Sequence, residues 1–171
     1  MPVSKATSIA NSNIAFIKYW GNRDHALRLP VNNSISMSLD GLYSRTTVTF
    51  DPALAEDVIV LGNTVQSREA SRRVVAQLDR VRHMANIAAR ARVDSQNNFP
   101  TGAGIASSAS GFAALALAAS TAAGMKLSER ELSILARLGS GSAVGDGWRF
   151  SACCAAWAFT PNCSSCGSSA G

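Results

Sequence analysis

The amino-acid sequence predicts an α+β fold, on two observations. Apolar residues recur at every second position in segments up to residue 61, as in strands, and at helical spacing from residue 67 onward. Strands first and helices later is the order of an α+β domain rather than of alternating βα units. A chain of 171 residues can bury one core of its own.

Taken in order, residues 7–20 read as short β segments around residues 11–13, with Ile14, Phe16, Tyr19 and Trp20 supplying strand-forming bulk. Asn22-Arg23-Asp24-His25 is polar and turn-like. Residues 34–39 alternate Ser-Ile-Ser-Met-Ser-Leu, which puts Ile35, Met37 and Leu39 on one face of a strand. Residues 45–50 make a second such strand and residues 58–61 a third. The period then changes: Val74, Val75, Leu78, Val81 and Ala85 predict a long amphipathic helix over residues 67–91. Residues 93–97 read as another strand. The run Pro-Thr-Gly-Ala-Gly at 100–104 breaks the pattern, and an alanine-rich helix follows over 105–123, ending at Gly124. Ser128, with Glu131 three residues on, is a capping box that opens a short helix to Leu138.

Composition narrows the class of function. Residues 1–13 are polar, with no apolar core and no small-residue cleavage site, so no secretory signal is read and the cytoplasm is the expected location. The run 105–123 is interrupted by Ser107, Ser108, Ser110, Ser120 and Thr121 and has too few bulky side chains to span a bilayer. The net charge of +5 sits mostly in residues 68–92 at helical spacing. No aromatics are interleaved, so a solvated helix face is the better reading than a nucleic-acid surface. A small phosphorylated substrate is also an anion, and charge does not decide the matter. All four cysteines, Cys153, Cys154, Cys163 and Cys166, fall in the last stretch of the chain. Their one Cys-x-x-Cys pair has no histidine nearby to complete a zinc site.

The segment richest in chemistry is Asn97-Asn98-Phe99-Pro100-Thr101-Gly102-Ala103-Gly104-Ile105-Ala106-Ser107-Ser108-Ala109-Ser110-Gly111. Its small residues let the backbone approach a ligand, and it runs into a helix start, where free N–H groups and the positive end of the helix dipole favour phosphate. Ser107 and Ser108 add hydroxyl donors. It is neither a Walker A loop nor a Gly-x-Gly-x-x-Gly turn. Taken alone, the same residues would also serve as a flexible linker.

Pro-x-x-x-Gly-Ile-x-Ser-Ser-Ala resembles the ATP-phosphate loop of the GHMP kinase superfamily, and the longer string resembles its mevalonate-diphosphate decarboxylase branch. The run Asn13-Ile14-Ala15-Phe16-Ile17-Lys18-Tyr19-Trp20-Gly21-Asn22-Arg23-Asp24 is similar to the same branch. So are residues 29–39 and Gly139-Ser140-Gly141-Ser142-Ala143. The motifs stand in family order over about residues 5–143. The resemblance implies an α+β domain of the GHMP kinase type, related to the second domain of ribosomal protein S5 and incomplete here. It implies a mevalonate 5-diphosphate or 5-phosphate substrate, with ATP and Mg2+. The tertiary 3-hydroxyl is phosphorylated, the phosphate departs, and carbon dioxide is lost to leave isopentenyl (di)phosphate.

By the same resemblance, Pro100, Gly102, Ala103, Gly104, Ile105, Ala106, Ser107, Ser108 and Ala109 bind ATP. Lys18 and Asn13 lie at the reacting end of the substrate. Tyr19, Trp20, Gly21, Asn22, Ser140, Gly141, Ser142 and Ala143 hold the substrate; for Tyr19 and Trp20, core packing is the competing reading. The family pattern has lysine where Asn22 stands, so either the substrate carries less phosphate charge or a cation such as Arg23 compensates. Members are often homodimeric. No metal site within the chain, no nucleic-acid partner and no membrane partner are expected.

Beyond Ala143 the pattern is lost. Members continue with Arg-Ser and Gly-Gly, and a one-base shift with suitable codons restores both in the neighbouring frame. Residues 1–143 are therefore expected to form the family's amino-terminal domain, and 144–171 an out-of-frame tail. The family's Asp-Ala-Gly-Pro-Asn segment, whose aspartate is the proposed base, does not occur in the sequence. The chain alone is expected to be inactive, with its core partly uncovered. A non-catalytic ATP-binding remnant is the alternative.

Overall fold

A computed structural model of the chain describes residues 3–17, 21–32, 35–100 and 107–143. Among them run β1 (Ser4–Ile17), β2 (Asn22–Asp24), β3 (Leu29–Pro30), β4 (Ile35–Asp51), β5 (Val58–Leu61) and β6 (Thr64–Val65). Then come α1 (Arg68–Ala85), β7 (Arg90–Asn97), α2 (Ser107–Ala122), α3 (Glu129–Gly139) and a 3-10 turn at Gly141–Ala143. The order β1-β4-β7-β5-β6 makes a five-stranded sheet, and β2 and β3 pair separately. Neighbours are antiparallel except β5 and β7, and α1 supplies the long crossover that a parallel pair requires. The α+β expectation holds.

Several local expectations change. The short segments read over 7–20 are one 14-residue strand through Ile17, because pairing with β4 holds the whole length extended. The two strands read at 34–39 and 45–50 are likewise one, β4. The break between them survives as a register jump: Asn11 faces Tyr43 but Asn13 faces Ser38. Gly41, at φ +74°, permits the excursion. Asn98 pins it, donating from Nδ2 to the Gly41 carbonyl (2.6 Å) and accepting at Oδ1 from the Tyr43 amide (2.8 Å). Asn22-Arg23-Asp24 is a strand, not a turn; the turn follows, with the Leu27 amide donating to Asp24 Oδ1 at 2.9 Å. α1 stops at Ala85, short of the predicted residue 91, because Asn86 takes the left-handed conformation that ends helices. The capping box is present as read, the Ser128 side chain accepting from the Glu131 amide and Glu131 accepting from the Ser128 amide.

The helices gather on one face of the sheet. Register aligns Ala6, Val48, Val93 and Ile59 in one row of that face. Together with Phe50, Leu78, Val81 and Leu115 they form a core in which none is more than 7% exposed. Each of the valine, isoleucine, leucine and phenylalanine side chains among them contributes roughly 1.5–3 kcal/mol on burial. Alanines on α2 (Ala109, Ala116, Ala118, Ala119) let its backbone approach the sheet closely. Apolar side chains remain uncovered elsewhere: Ile14, Phe16 and Ile17 of β1 and Ile35 and Met37 of β4 are exposed. One row along, Ser8, Thr46 and Ser95 align, and then Ala10, Ser44 and Asn97. Hydrocarbon gives way to hydroxyl and amide toward the end of the sheet where α2 begins.

Candidate functional site

That polar end is where the candidate motifs meet. β7 runs out at Asn97, and α2 opens at Ser107 with no acidic residue in its first turn, leaving an electrostatically favourable end for an anion. A cleft of about 660 Å3 lies against it. Its walls are the first turns of α1 (Ala70, Arg73, Val74), the β5–β6 hairpin (Leu61, Gly62, Asn63) and the first turns of α2 (Ser107, Ser108, Gly111, Phe112). Thr46, Ser95 and Asn97 of the sheet also line it. The volume suits a nucleotide-sized ligand.

The polar groups here are satisfied by one another, which fixes their positions. Ser44 Oγ lies 2.6 Å from Asn97 Oδ1 and 2.7 Å from Ser110 Oγ. Thr46 and Ser95 share a hydrogen bond of 2.8 Å. Ser8 donates to the Ala114 carbonyl at 2.6 Å and so fastens β1 to α2.

The Gly139-Ser140-Gly141 motif arrives from the other side. α3 ends at Gly139, and Ser140, 3% exposed, caps it. Ser140 Oγ is 3.3 Å from Ser108 Oγ, so the phosphate-loop helix and the serine-glycine motif touch through their hydroxyls. Three elements brace this junction. Arg73 donates to the Gly139 carbonyl at 2.8 Å, and its guanidinium sits 4.9 Å from the centre of the Phe112 ring. Position 139 has no room for a side chain: a Cβ there would lie 2.2 Å from Phe112 Cδ1. Ala143 closes the 3-10 turn, fully buried in the core, with its amide on the Ser140 carbonyl at 2.9 Å.

Of the residues singled out in the sequence, Ser107, Ser108, Ala109, Ser140, Gly141 and Ala143 are gathered at the start of α2, and the backbone of Ser142 lies in the same 3-10 turn. Pro100 follows the cleft-lining Phe99. Asn13 is 3% exposed on β1, opposite Ser38. Gly21, at φ +73°, and Asn22 open the β2–β3 hairpin, and the Asn22 Oδ1 atom is buried without a hydrogen-bond partner among the described residues. Lys18, Tyr19, Trp20, Gly102, Ala103, Gly104, Ile105 and Ala106 lie outside the described residues, as does all of 144–171.

Sequence reasoning missed Arg73, Phe112 and the β5–β6 hairpin as parts of the cleft, and gave Phe99 no role of its own within the segment that runs into α2. Arg73 belongs to the basic stretch read as a solvated face, and nothing in the spacing set it apart. The same stretch holds a second exception, the buried Arg82, paired with Asp57. Among the described residues no group of three or more His, Cys, Asp or Glu side chains gathers, and no helix is long and apolar enough to cross a membrane.

A mixed sheet with helices on one face, and a serine-glycine motif meeting the start of one of those helices, are the features of a GHMP-type α+β fold. The sequence model of the Diphosphomevalonate decarboxylase-like N-terminal domain matches residues 10–145, and the chain belongs to that family. It is 42% identical over 140 residues to the phosphomevalonate decarboxylase of Haloferax volcanii, covering 82% of this chain and 43% of that protein. Among solved structures, the mevalonate diphosphate decarboxylase of Enterococcus faecalis superimposes with a TM-score of 0.78 at 47% identity, over 83% of this chain and 44% of that one. Another, of MDDEF in complex with MVAPP, AMPPCP and magnesium, gives 0.78 at 47% identity over 83% and 43%. The chain thus spans less than half the length of the relatives it matches.

Proposed function

We propose that this domain binds ATP in the cleft beside α2 and serves the ATP-dependent decarboxylation of a phosphorylated mevalonate to an isopentenyl phosphate. The observation that carries the reading is the 3.3 Å approach of Ser108 and Ser140, which sets a helix start suited to nucleotide phosphates beside a segment suited to substrate phosphate. In this reading the amides and hydroxyls of Ser107 and Ser108 meet the phosphates, and Arg73 offsets their charge from α1. Ser140, Gly141 and Ser142 offer hydroxyl and backbone donors to the substrate phosphate, with Ala143 closing the turn behind them and Tyr19, Trp20, Gly21 and Asn22 around it. Lys18 and Asn13 lie at the reacting end. Mg2+ would arrive with the nucleotide, carried on its phosphates.

Equilibrium dialysis of the purified chain against radiolabelled ATP tests the site. Saturable binding, weakened by Arg73→Ala, is the expected result; no binding to the folded chain would reject it.

Asn22 bears on which phosphate the substrate carries. A neutral amide where the family has lysine loses more against a diphosphate than a monophosphate, so we read 5-phosphomevalonate as the preferred substrate. A full-length protein carrying this domain should favour the monophosphate in kcat/KM, and Asn22→Lys should move that preference toward the diphosphate. We read residues 144–171 as translated out of frame from the rest of the domain; the coding sequence across residues 140–150 decides this.

A further inference from the structure

A short chain of side-chain contacts runs beneath the wall of the cleft. Ser44 on β4 and Ser110 on α2 are 0% and 1% exposed, and neither lines the cleft. Ser44 Oγ stands 2.6 Å from Asn97 Oδ1 and 2.7 Å from Ser110 Oγ, and Ser110 Oγ stands 3.2 Å from the Ser107 carbonyl. Asn97, at the end of β7, does line the cleft. The chain thus leads from the cleft wall, through the interior, to the first residue of α2.

Proton supply fixes its direction. Three contacts are served by two hydroxyls, each with one proton to give. Hydroxyl donors make bonds of about 2.7–2.8 Å and amide donors longer ones, of about 2.9–3.0 Å. The two short contacts are therefore the hydroxyl bonds: Ser110 donates to Ser44, and Ser44 to Asn97 Oδ1. Ser110 shares its proton only weakly with the more distant Ser107 carbonyl, which the helix ladder already serves. The opposite direction would need an amide N–H at 2.6 Å from Ser44, closer than such bonds come. With its oxygen held inward, Asn97 keeps Nδ2 for the cleft, and its side chain makes no other hydrogen bond among the described residues. The next row of the sheet differs. Thr46 and Ser95 share a 2.8 Å bond between two hydroxyls that both rotate, so that row adapts to a donor or an acceptor. Asn97 is set as a donor.

Taking the cleft as the ATP site proposed above, we infer that Asn97 is a specificity-determining residue, donating from Nδ2 to an acceptor atom of the nucleotide. Ser44 is the positioning residue that holds the amide in this sense. A ligand group presenting N–H at this point meets a second donor, and turning the amide over reverses both buried hydroxyls.

Equilibrium dialysis with radiolabelled ATP tests the linkage, on the unchanged chain, Ser44→Ala, Asn97→Ala and the double variant. Each single change should weaken binding roughly threefold to tenfold. The double variant should bind no worse than Asn97→Ala, since Ser44 acts through Asn97. Ser44→Thr, which keeps the hydroxyl, should recover most of the affinity. Losses that add, or binding untouched by Ser44→Ala, would overturn the inference and leave the ATP reading standing; no binding by the unchanged chain would reject both. The sense of the amide is read by NMR, from the side-chain NH2 signal of Asn97, identified by its loss in Asn97→Ala. That signal should exchange quickly with water in the free chain and slow when ATP is added. A signal already protected without ligand would put the NH2 against Ser44 and overturn the proposal. Slowing with tripolyphosphate as well as ATP assigns the acceptor to the phosphates, and slowing with ATP alone to the base or ribose. This measurement changes nothing at Ser44, and so decides the matter should Ser44→Ala fail to fold.

Discussion

Arg82 and Asp57 face each other almost fully buried, with side chains 8% and 5% exposed. Their remaining hydrogen-bonding capacity is used nearby. Arg82 also donates to the Ala89 carbonyl at 3.0 Å and to Asp79 at 2.6 Å, and Asp57 accepts the Ala91 amide at 2.8 Å. This cluster ties the end of α1 to the start of β7, so removing one partner strands a buried charge. Asp57→Ala is expected to lose about 3–5 kcal/mol of unfolding free energy in urea titration. Arg68–Glu56, exposed by 93% and 66%, has the same charges without the burial, and its loss should be barely measurable. At Gly139 the constraint is steric. Gly139→Ala must displace the Phe112 ring, at a cost of about 1–3 kcal/mol, and a double-mutant cycle with Phe112→Leu should show strong coupling. None of this was legible in the sequence. Arg82 and Arg73 sat in a periodic basic stretch that resembled a solvated face, and burial is decided by partners distant in the chain. Gly139 was legible as part of a motif, but the ring that demands a glycine there was not.

At the level of elements, what could be read locally was read well. The Ser128 box is contained in four consecutive residues, and α3 begins where it says. Val58–Leu61 and the alanine-rich helix also follow from their own composition. The β2 and β6 strands were missed because each is short and exists through its partner, and the union of two segments into β4 depends on pairing with β1 and β7. The capping box makes a prediction in pH. Hydrogen bonds from the Ser128 hydroxyl and then its amide hold the Glu131 carboxyl below its ordinary value. A depressed carboxyl stabilises the fold above its unfolded pKa, and that contribution vanishes as pH falls through the lower, folded value. Amide exchange at Ser128 should therefore stay slow at neutral pH and accelerate, relative to the middle of α3, as the solution is acidified below the usual carboxylate range. Ser128→Ala should cost about 0.5–2 kcal/mol at neutral pH.

For the molecule as a whole, the sequence contains no Asp-Ala-Gly-Pro-Asn segment, whose aspartate the family resemblance makes the proposed base. Purified alone, it should release no carbon dioxide from phosphomevalonate or diphosphomevalonate with ATP, as measured with carboxyl-labelled substrate. Product above a no-enzyme control would show that the base lies elsewhere. The parallel pairing of β5 with β7 has a consequence in time. It closes only across the whole of α1, from Leu61 to Ser95, whereas the antiparallel β1 and β4 meet at their near ends, Ile17 and Ile35, over a shorter loop. Because loop closure precedes the contacts that reward it, short closures come first. In pulsed hydrogen-exchange refolding, amides of β1 and β4 near Ile17 and Ile35 should gain protection before those of β5 and β7. The strand that carries Asn13 would find its partner early, and the candidate site would then wait for the α1 wall of its cleft.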